Sequence, residues 1–158
     1  MSVSNRALIG LGANLNDPIQ QILDARVALT NLPLVASWQC SALYVSSPVG
    51  YSDQPNFVNC VLALNTHYDA YSLFGYMQTI ETDLGRTRDK NNQNAPRLID
   101  IDMLMFGDKQ LADPNLIIPH PRMRERLFVL EPLADLGVDM KPDPAVDFGE
   151  QVLHRLSI

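Results

Sequence analysis

Long apolar runs are missing from this chain, cysteine and lysine are scarce, and each shortage closes off a class of function. No stretch approaches the length needed to cross a bilayer, and the N-terminus carries no signal-peptide pattern, so neither a membrane protein nor an exported one is expected. The two cysteines, Cys40 and Cys60, have neither CxxC spacing nor a companion histidine. Both fall in apolar, strand-like segments, which suits free thiols in a reducing cytoplasm better than a disulfide or a metal site. Three lysines stand against nine arginines within a net charge of −6, which argues against general nucleic-acid binding. Familiar catalytic signatures are absent too. There is no GxxxxGK(S/T) P-loop, no third glycine after Gly10-Leu11-Gly12, no HExxH, no serine elbow and no catalytic cysteine–histidine pair. No internal repeat or low-complexity tract occurs.

What is present reads as one domain over residues 1–158, 46% apolar and large enough to bury a core without staples. Ala7 to Gly12 forms a first strand ending in a Gly-Ala-Asn turn. Asp17 and Pro18 then start a helix carrying Ile19, Ile22, Leu23, Leu29 and Leu32 on one face, closed by Pro33. Val35–Val45 and Phe57–Thr66 follow as the second and third strands, joined by a polar loop too long for a tight hairpin. Asp69 caps a second helix with Leu73, Met77, Ile80 and Leu84 at helical spacing, ending at Gly85. Twelve residues without apolar periodicity (85–96) then separate this helix from a fourth strand, the length of a functional lid. Beyond a Gly107-Asp108 turn come a short strand at Leu116–Ile118, a Pro119-His120-Pro121 turn and a helix with Met123, Leu127 and Leu130 on its apolar face. The order β-α-β-β-α-β predicts an α+β, ferredoxin-like sandwich with C-terminal additions, its helices on one sheet face and the other face open.

The fourth strand holds the most informative residues. Strand side chains alternate, so Asp100 and Asp102 point the same way, roughly 6–7 Å apart, while Ile99, Ile101, Met103 and Met105 form an apolar row opposite. Aspartate is a poor strand former and like charges on one face repel, a conflict that divalent cations bridging both carboxylates would remove. On the third strand Val58, Cys60, Leu62 and Leu64 go inward and Phe57 and Asn59 outward, onto the face of the two acids. Six of the nine arginines (Arg86, Arg88, Arg97, Arg122, Arg124, Arg126) lie between positions 86 and 126. The planar fork of arginine suits phosphate oxygens. An Asp-x-Asp metal platform, an arginine-rich lid and His120 suit phosphoryl-type transfer with Mg²⁺. A two-metal nucleotidyltransferase and a non-catalytic ferredoxin-like binding module share parts of this pattern. The acidic face counts against an RNA module, which needs a basic, aromatic one.

Several segments together carry a resemblance: Gly10-Leu11-Gly12-Ala13-Asn14-Leu15, Asp53-Gln54-Pro55-Asn56-Phe57-Val58-Asn59, Gln78-Thr79-Ile80-Glu81, Gly85-Arg86-Thr87-Arg88, the Pro96-Arg97-x-x-Asp100-x-Asp102 core and Pro119-His120-Pro121-Arg122-Met123. In order and spacing the chain resembles the 6-hydroxymethyl-7,8-dihydropterin pyrophosphokinases of folate biosynthesis, over nearly its whole length. The resemblance implies transfer of pyrophosphate from ATP to the pterin hydroxymethyl group with release of AMP, in a cytoplasmic monomer. It implies that Asp100 and Asp102 hold two Mg²⁺ on the ATP phosphates, with Arg86 and Arg97 among the catalytic groups. Arg86, Arg97 and Arg126 would line the triphosphate and Arg88 the lid. His120 would contact the phosphates, with Gln78, Glu81 and Met103 on the nucleotide side. Phe57 and Phe128 would sandwich the pterin, whose edge meets Asn59 and the Ser46, Ser47 and Val49 segment. The chain departs from the family pattern at Ala13, where serine is common, and at Asn94-Ala95, where many members have Trp-Gly. It also differs at Asn115, Ile117 and Pro121.

Overall fold

In the computed structural model, residues 4–15, 17–46, 56–86, 99–148 and 153–156 are described. Strand β1 (Asn5–Ala13) is flanked on both sides, by β4 (Phe57–Thr66) and β5 (Asp100–Phe106). The sheet runs β5-β1-β4-β3-β8, with β3 at Leu43–Ser46 and β8 at Leu153–Leu156, and β2 (Val35–Cys40) also pairs with β4. The strand pairings of this sheet among the described residues are all antiparallel. Together with helices α1 (Pro18–Thr30) and α2 (Ala70–Arg86), this is the expected ferredoxin-like α+β order. A separate hairpin of β6 (Leu111–Asp113) and β7 (Leu116–Ile118) follows, then a 3₁₀ turn (Met123–Glu125) and α3 (Leu127–Asp135).

Local chemistry sets the helix starts. Asp17 adopts φ 60° and accepts a bond from the Gln20 N–H, with Pro18 filling the first helical position. Asp69 accepts from the Ser72 N–H (2.8 Å) and the Ser72 hydroxyl (3.1 Å), bonds that hold its carboxyl below the usual range. α1 stops at Thr30, before Pro33. α2 runs one residue past Gly85. No helix among the described residues is long and apolar enough to cross a membrane.

Four features depart from the sequence-based expectation. The stretch 35–45 is two strands rather than one. Between the Cys40–Leu62 and Tyr44–Asn59 pairings the chain spends one residue more than β4 does. Ser41 takes up the slack: its hydroxyl accepts from the Val61 N–H while its own N–H donates to the Val61 carbonyl, both at 2.9 Å. A second irregularity lies in β5. Leu8 pairs with Met105 but Ile9 with Met103, leaving Leu104 as the extra residue. The predicted apolar row therefore breaks: Ile101 and Met103 enter the main core, Phe106 replaces Met105 there, and Met105 packs in a second cluster.

That second cluster is the third departure. Besides the core between the sheet and α1/α2, Leu8, Val61, Ala63, Leu104, Met123, Val129 and Leu133 bury the opposite face. Only one end of that face, around Asp100, Asp102, Phe57 and Asn59, is left as a recess. Finally, the helix expected from Met123 onward is interrupted. Arg126 is extended (φ −124°, ψ 112°) between the 3₁₀ turn and α3, so Val129 and Leu133, not Leu127, join Met123 in the core.

Candidate active site

Direct antiparallel partners share a sheet face, so one rung of the sheet reads Arg155–Tyr44–Asn59–Gly12–Asp100, from β8 across to β5. The next rung places Val61, Gly10 and Asp102 side by side. Glycines thus occupy the central strand between the amide of Asn59 and the two acids. Gly12 makes room for Asn59: a Cβ there would overlap Asn59 Oδ1, so the amide would have to shift. At Gly10 an added Cβ would meet Leu104 at 3.6 Å, an ordinary contact. Two missing side chains in a row make a trough, and the repulsion expected for acids on a strand is relieved because their neighbour on β1 is bare and open to water.

The trough is the floor of a recess of about 270 Å³, walled by Ser46, Phe57, Asn59, Asp100, Asp102, Arg126 and Phe128. A second recess of about 370 Å³ adjoins it, lined among others by Gln78, Glu81, Asp102, Met103, Asn115, Ile117, His120 and Pro121. Asp102 faces both. Sequence reasoning therefore brought together seven residues of the first recess and five of the second, with Asp102 common to the two. Arg126 lies in the first recess, yet close enough to His120 and Asp102 for each to act on the other electrostatically. Ser47, Val49, Arg88, Arg97 and the side chain of Arg86 lie outside the described residues.

Each wall has a structural reason. The break at Arg126 turns its guanidinium back over the Phe128 ring, 5.5 Å from the centroid. Burial lowers the pKa of Arg126, Arg122 adds to the effect, and Asp102, Glu125 and Asp100 oppose it. A guanidinium stays charged under any such shift, and half-buried it is more strongly attracted to anions. His120 is also half-buried, and burial pulls its pKa below 6.5, with Asp102 opposing and Arg126 and Arg122 reinforcing. Its Nδ1 accepts the Arg122 N–H at 3.2 Å, which leaves the proton on Nε2, free to donate outward. Its own N–H bonds the Leu104 carbonyl at the β5 bulge, fixing the turn after the cis Ile118–Pro119 bond.

Glu81 has a second occupation. Its Oε2 accepts the Ile101 N–H at 2.8 Å, so α2 holds the outer edge of β5 between the two aspartates. Not anticipated as lining of the first recess were the β1 segment from Gly10 to Asn14, Cys60, Leu104 and Val129. The signal for the glycines was present: they alternate with Ile9 and Leu11 and so share one face.

The two carboxylates are hard oxygen donors on an open face, and among the described residues no group of three His, Cys, Asp or Glu could hold a metal ion. Mg²⁺ commonly takes one or two carboxylates and completes its shell with water and substrate phosphate. The residues present fit such a shared ion.

Residues 8–138 match the family described as 7,8-dihydro-6-hydroxymethylpterin-pyrophosphokinase (HPPK). The 2-amino-4-hydroxy-6-hydroxymethyldihydropteridine pyrophosphokinase of Pseudomonas aeruginosa is 44% identical over 139 residues, covering 87% of this chain and 85% of that one. The Bacillus subtilis protein of the same name is 39% identical over 134 residues, 85% and 79% of the two chains. The folic acid synthesis protein fol1 of Pneumocystis carinii is 40% identical over 88% of this chain, which spans only 18% of it. Among solved structures, an HPPK-DHPS in complex with substrates superposes with a TM-score of 0.65 at 14% identity over 85% of this chain. The wild-type Plasmodium falciparum HPPK-DHPS with pteroate superposes at 0.62 and 17% identity over 84%. This chain spans about two fifths of those two proteins (40% and 38%), and at such identity they speak to the fold alone. With a family match across most of its length and relatives of comparable size, the chain belongs to the 7,8-dihydro-6-hydroxymethylpterin-pyrophosphokinase family.

Proposed function

We propose that the two recesses take the two substrates of a pyrophosphoryl transfer and meet at Asp102. Family membership makes the chain a pyrophosphokinase of folate biosynthesis. The division of labour between its residues is our reading. The pterin of 6-hydroxymethyl-7,8-dihydropterin lies between Phe57 and Phe128, its hydrogen-bonding edge against Asn59 and the Ser46, Ser47 and Val49 segment. ATP enters the second recess with its nucleoside beside Gln78, Glu81 and Met103. Its triphosphate runs toward Asp102, where Nε2 of His120 donates to a phosphate oxygen and Arg126 supplies fixed positive charge, joined by Arg86, Arg88 and Arg97.

The hydroxymethyl oxygen then attacks the β-phosphorus in line, the bond between the α- and β-phosphates breaks, and AMP leaves. Asp100 and Asp102 would hold two Mg²⁺, which when bound neutralise phosphate charge and favour loss of the hydroxyl proton. The protein's own contribution is position and field: a floor of glycines, two aromatic walls, and the half-buried Arg126 guanidinium where charge develops. ATP binding first, with residues 85–96 closing over it, is part of the proposal.

The observation that carries this reading is Asp102 on the wall common to both recesses. Incubation with ATP, Mg²⁺ and the reduced hydroxymethylpterin should release AMP. Pyrophosphate would indicate nucleotidyl transfer and ADP an ordinary kinase, and either would overturn the reading. We further propose that residues 1–158 act as one domain, because β8 from the C-terminal end joins the same sheet as β1. A monomer in the cytoplasm completes the proposal, and the free thiols of Cys40 and Cys60 support a reducing compartment.

A further inference from the structure

Cys40 closes β2 and Cys60 lies within β4 at the lining of the first recess, and the proposed transfer gives neither thiol a role. Their sulfurs sit 3.9 Å apart in a thiol–thiol hydrogen bond. Cys60 is buried in the main core, whereas Cys40 is partly exposed. The extra residue after Cys40 loosens the ladder at this point, where Ser41 rather than a regular strand pairing meets Val61. A positive charge stands beside the outer sulfur. Arg26 of α1 lies over the exposed Trp38 ring, 5.5 Å from its centroid, and near enough to Cys40 for its charge to favour the thiolate.

From this geometry we propose that Cys40 and Cys60 form a peroxide-sensitive thiol pair, Cys40 attacking and Cys60 resolving. The asymmetry has a physical basis. The Cys60 thiol, with help from the Arg26 guanidinium and against burial, stabilises the Cys40 thiolate and brings its pKa down to about 6, while the neighbouring Cys40 sulfur and burial push Cys60 up. The Cys40 thiolate attacks one oxygen of a hydroperoxide. An S–O bond forms, the O–O bond breaks, and the departing oxygen takes a proton to leave as an alcohol or water. Cys60 then attacks the Cys40 sulfenic acid. The S–S bond forms, the S–O bond breaks, and hydroxide leaves with the proton from Cys60 as water. The sulfurs must close from 3.9 Å to about 2.05 Å.

The test is hydrogen peroxide treatment of the folded, reduced protein, followed by alkylation and non-reducing peptide mapping. A Cys40–Cys60 cross-linked peptide within one chain, reversed by dithiothreitol, is the expected result. In Cys60→Ser the Cys40 sulfenic acid should accumulate and be trapped by dimedone. In Cys40→Ser, Cys60 should remain a thiol under the same peroxide. Wild-type protein in which both thiols stay alkylatable on denaturation would overturn the proposal, as would cross-links found only between chains. So would oxidation of Cys60 at an unchanged rate once Cys40 is gone. The wild-type mapping requires no variant to fold.

Discussion

Single atoms decide most of what this site can do. Asp102 carries charge at the junction of the recesses, so Asp102→Asn keeps the shape and removes the charge. Turnover should fall at least about 10²-fold, on the scale of lost electrostatic groups, with the circular dichroism spectrum unchanged. At Gly12 the decisive atom is one that is missing. Gly12→Ala pushes a methyl into Asn59 Oδ1, and moving that amide should raise the KM for the pterin about tenfold, the loss of one or two neutral hydrogen bonds, with the KM for ATP little changed. Equal changes in both constants would remove Asn59 from pterin recognition. His120 gives a pH signature. Burial depresses its folded pKa, so the unfolded chain takes the proton first. Its contribution to stability is therefore intact above the ordinary histidine pKa of about 6.5 and is lost as pH falls through that value toward the folded pKa. An NMR titration should find its imidazole below that value in the free protein and shifted upward when a triphosphate binds.

Elements place those atoms, and here short irregularities matter more than regular structure. The bulge at Leu104 lets β5 present Asp100 and Asp102 to the recess and still deliver Phe106 to the main core. Extended Arg126 separates the 3₁₀ turn from α3, which aims its guanidinium and Phe128 at the same cavity. The end of α3 is tied back to β3 and β8 through Asp135, which accepts from the Tyr44 hydroxyl (2.8 Å) and the Ala42 N–H (3.1 Å) and lies 3.7 Å from Arg155. These bonds join the wall bearing Phe128 to the strand ending in Ser46. Tyr44→Phe should lower stability by about 0.5–1.5 kcal/mol, measured by urea unfolding. It should also weaken pterin binding more than nucleotide binding, because the second recess has no wall on β3 or α3.

At the scale of the molecule both faces of the sheet carry helices, α1 and α2 on one and α3 on part of the other. Leu133, fully buried in the second cluster, measures what that partial cover contributes. Leu133→Ala should cost about 2–5 kcal/mol in chemical denaturation, since the cavity would open between α3 and the sheet, where little can collapse into it. A loss much below this range would mean that α3 packs loosely on the sheet. The β-α-β-β-α-β order of elements, the helices α1 and α2 and the shared face of Asp100, Asp102, Phe57 and Asn59 were legible in the sequence. The split second strand, the interrupted last helix and the covered second face were not. Ser41 looks like any strand serine until Val61 needs a donor and an acceptor, and Val61, Ala63 and Leu104 reveal a second apolar face only once α3 is seen to lie on it.

Periodicity and residue chemistry by themselves determined which side chains share a face within an unbroken stretch of strand, as for Asp100 and Asp102, and which carry charge, because alternation along a strand and the cost of burying a carboxylate are local matters. Tertiary structure alone decided that Asp102 should face two cavities, that Glu81 should hold the β5 edge, and that Gly12 should stand between an amide and an acid. Those facts depend on register and packing between segments up to a hundred residues apart, where one extra residue in a strand, as at Leu104, reverses the direction of every side chain beyond it.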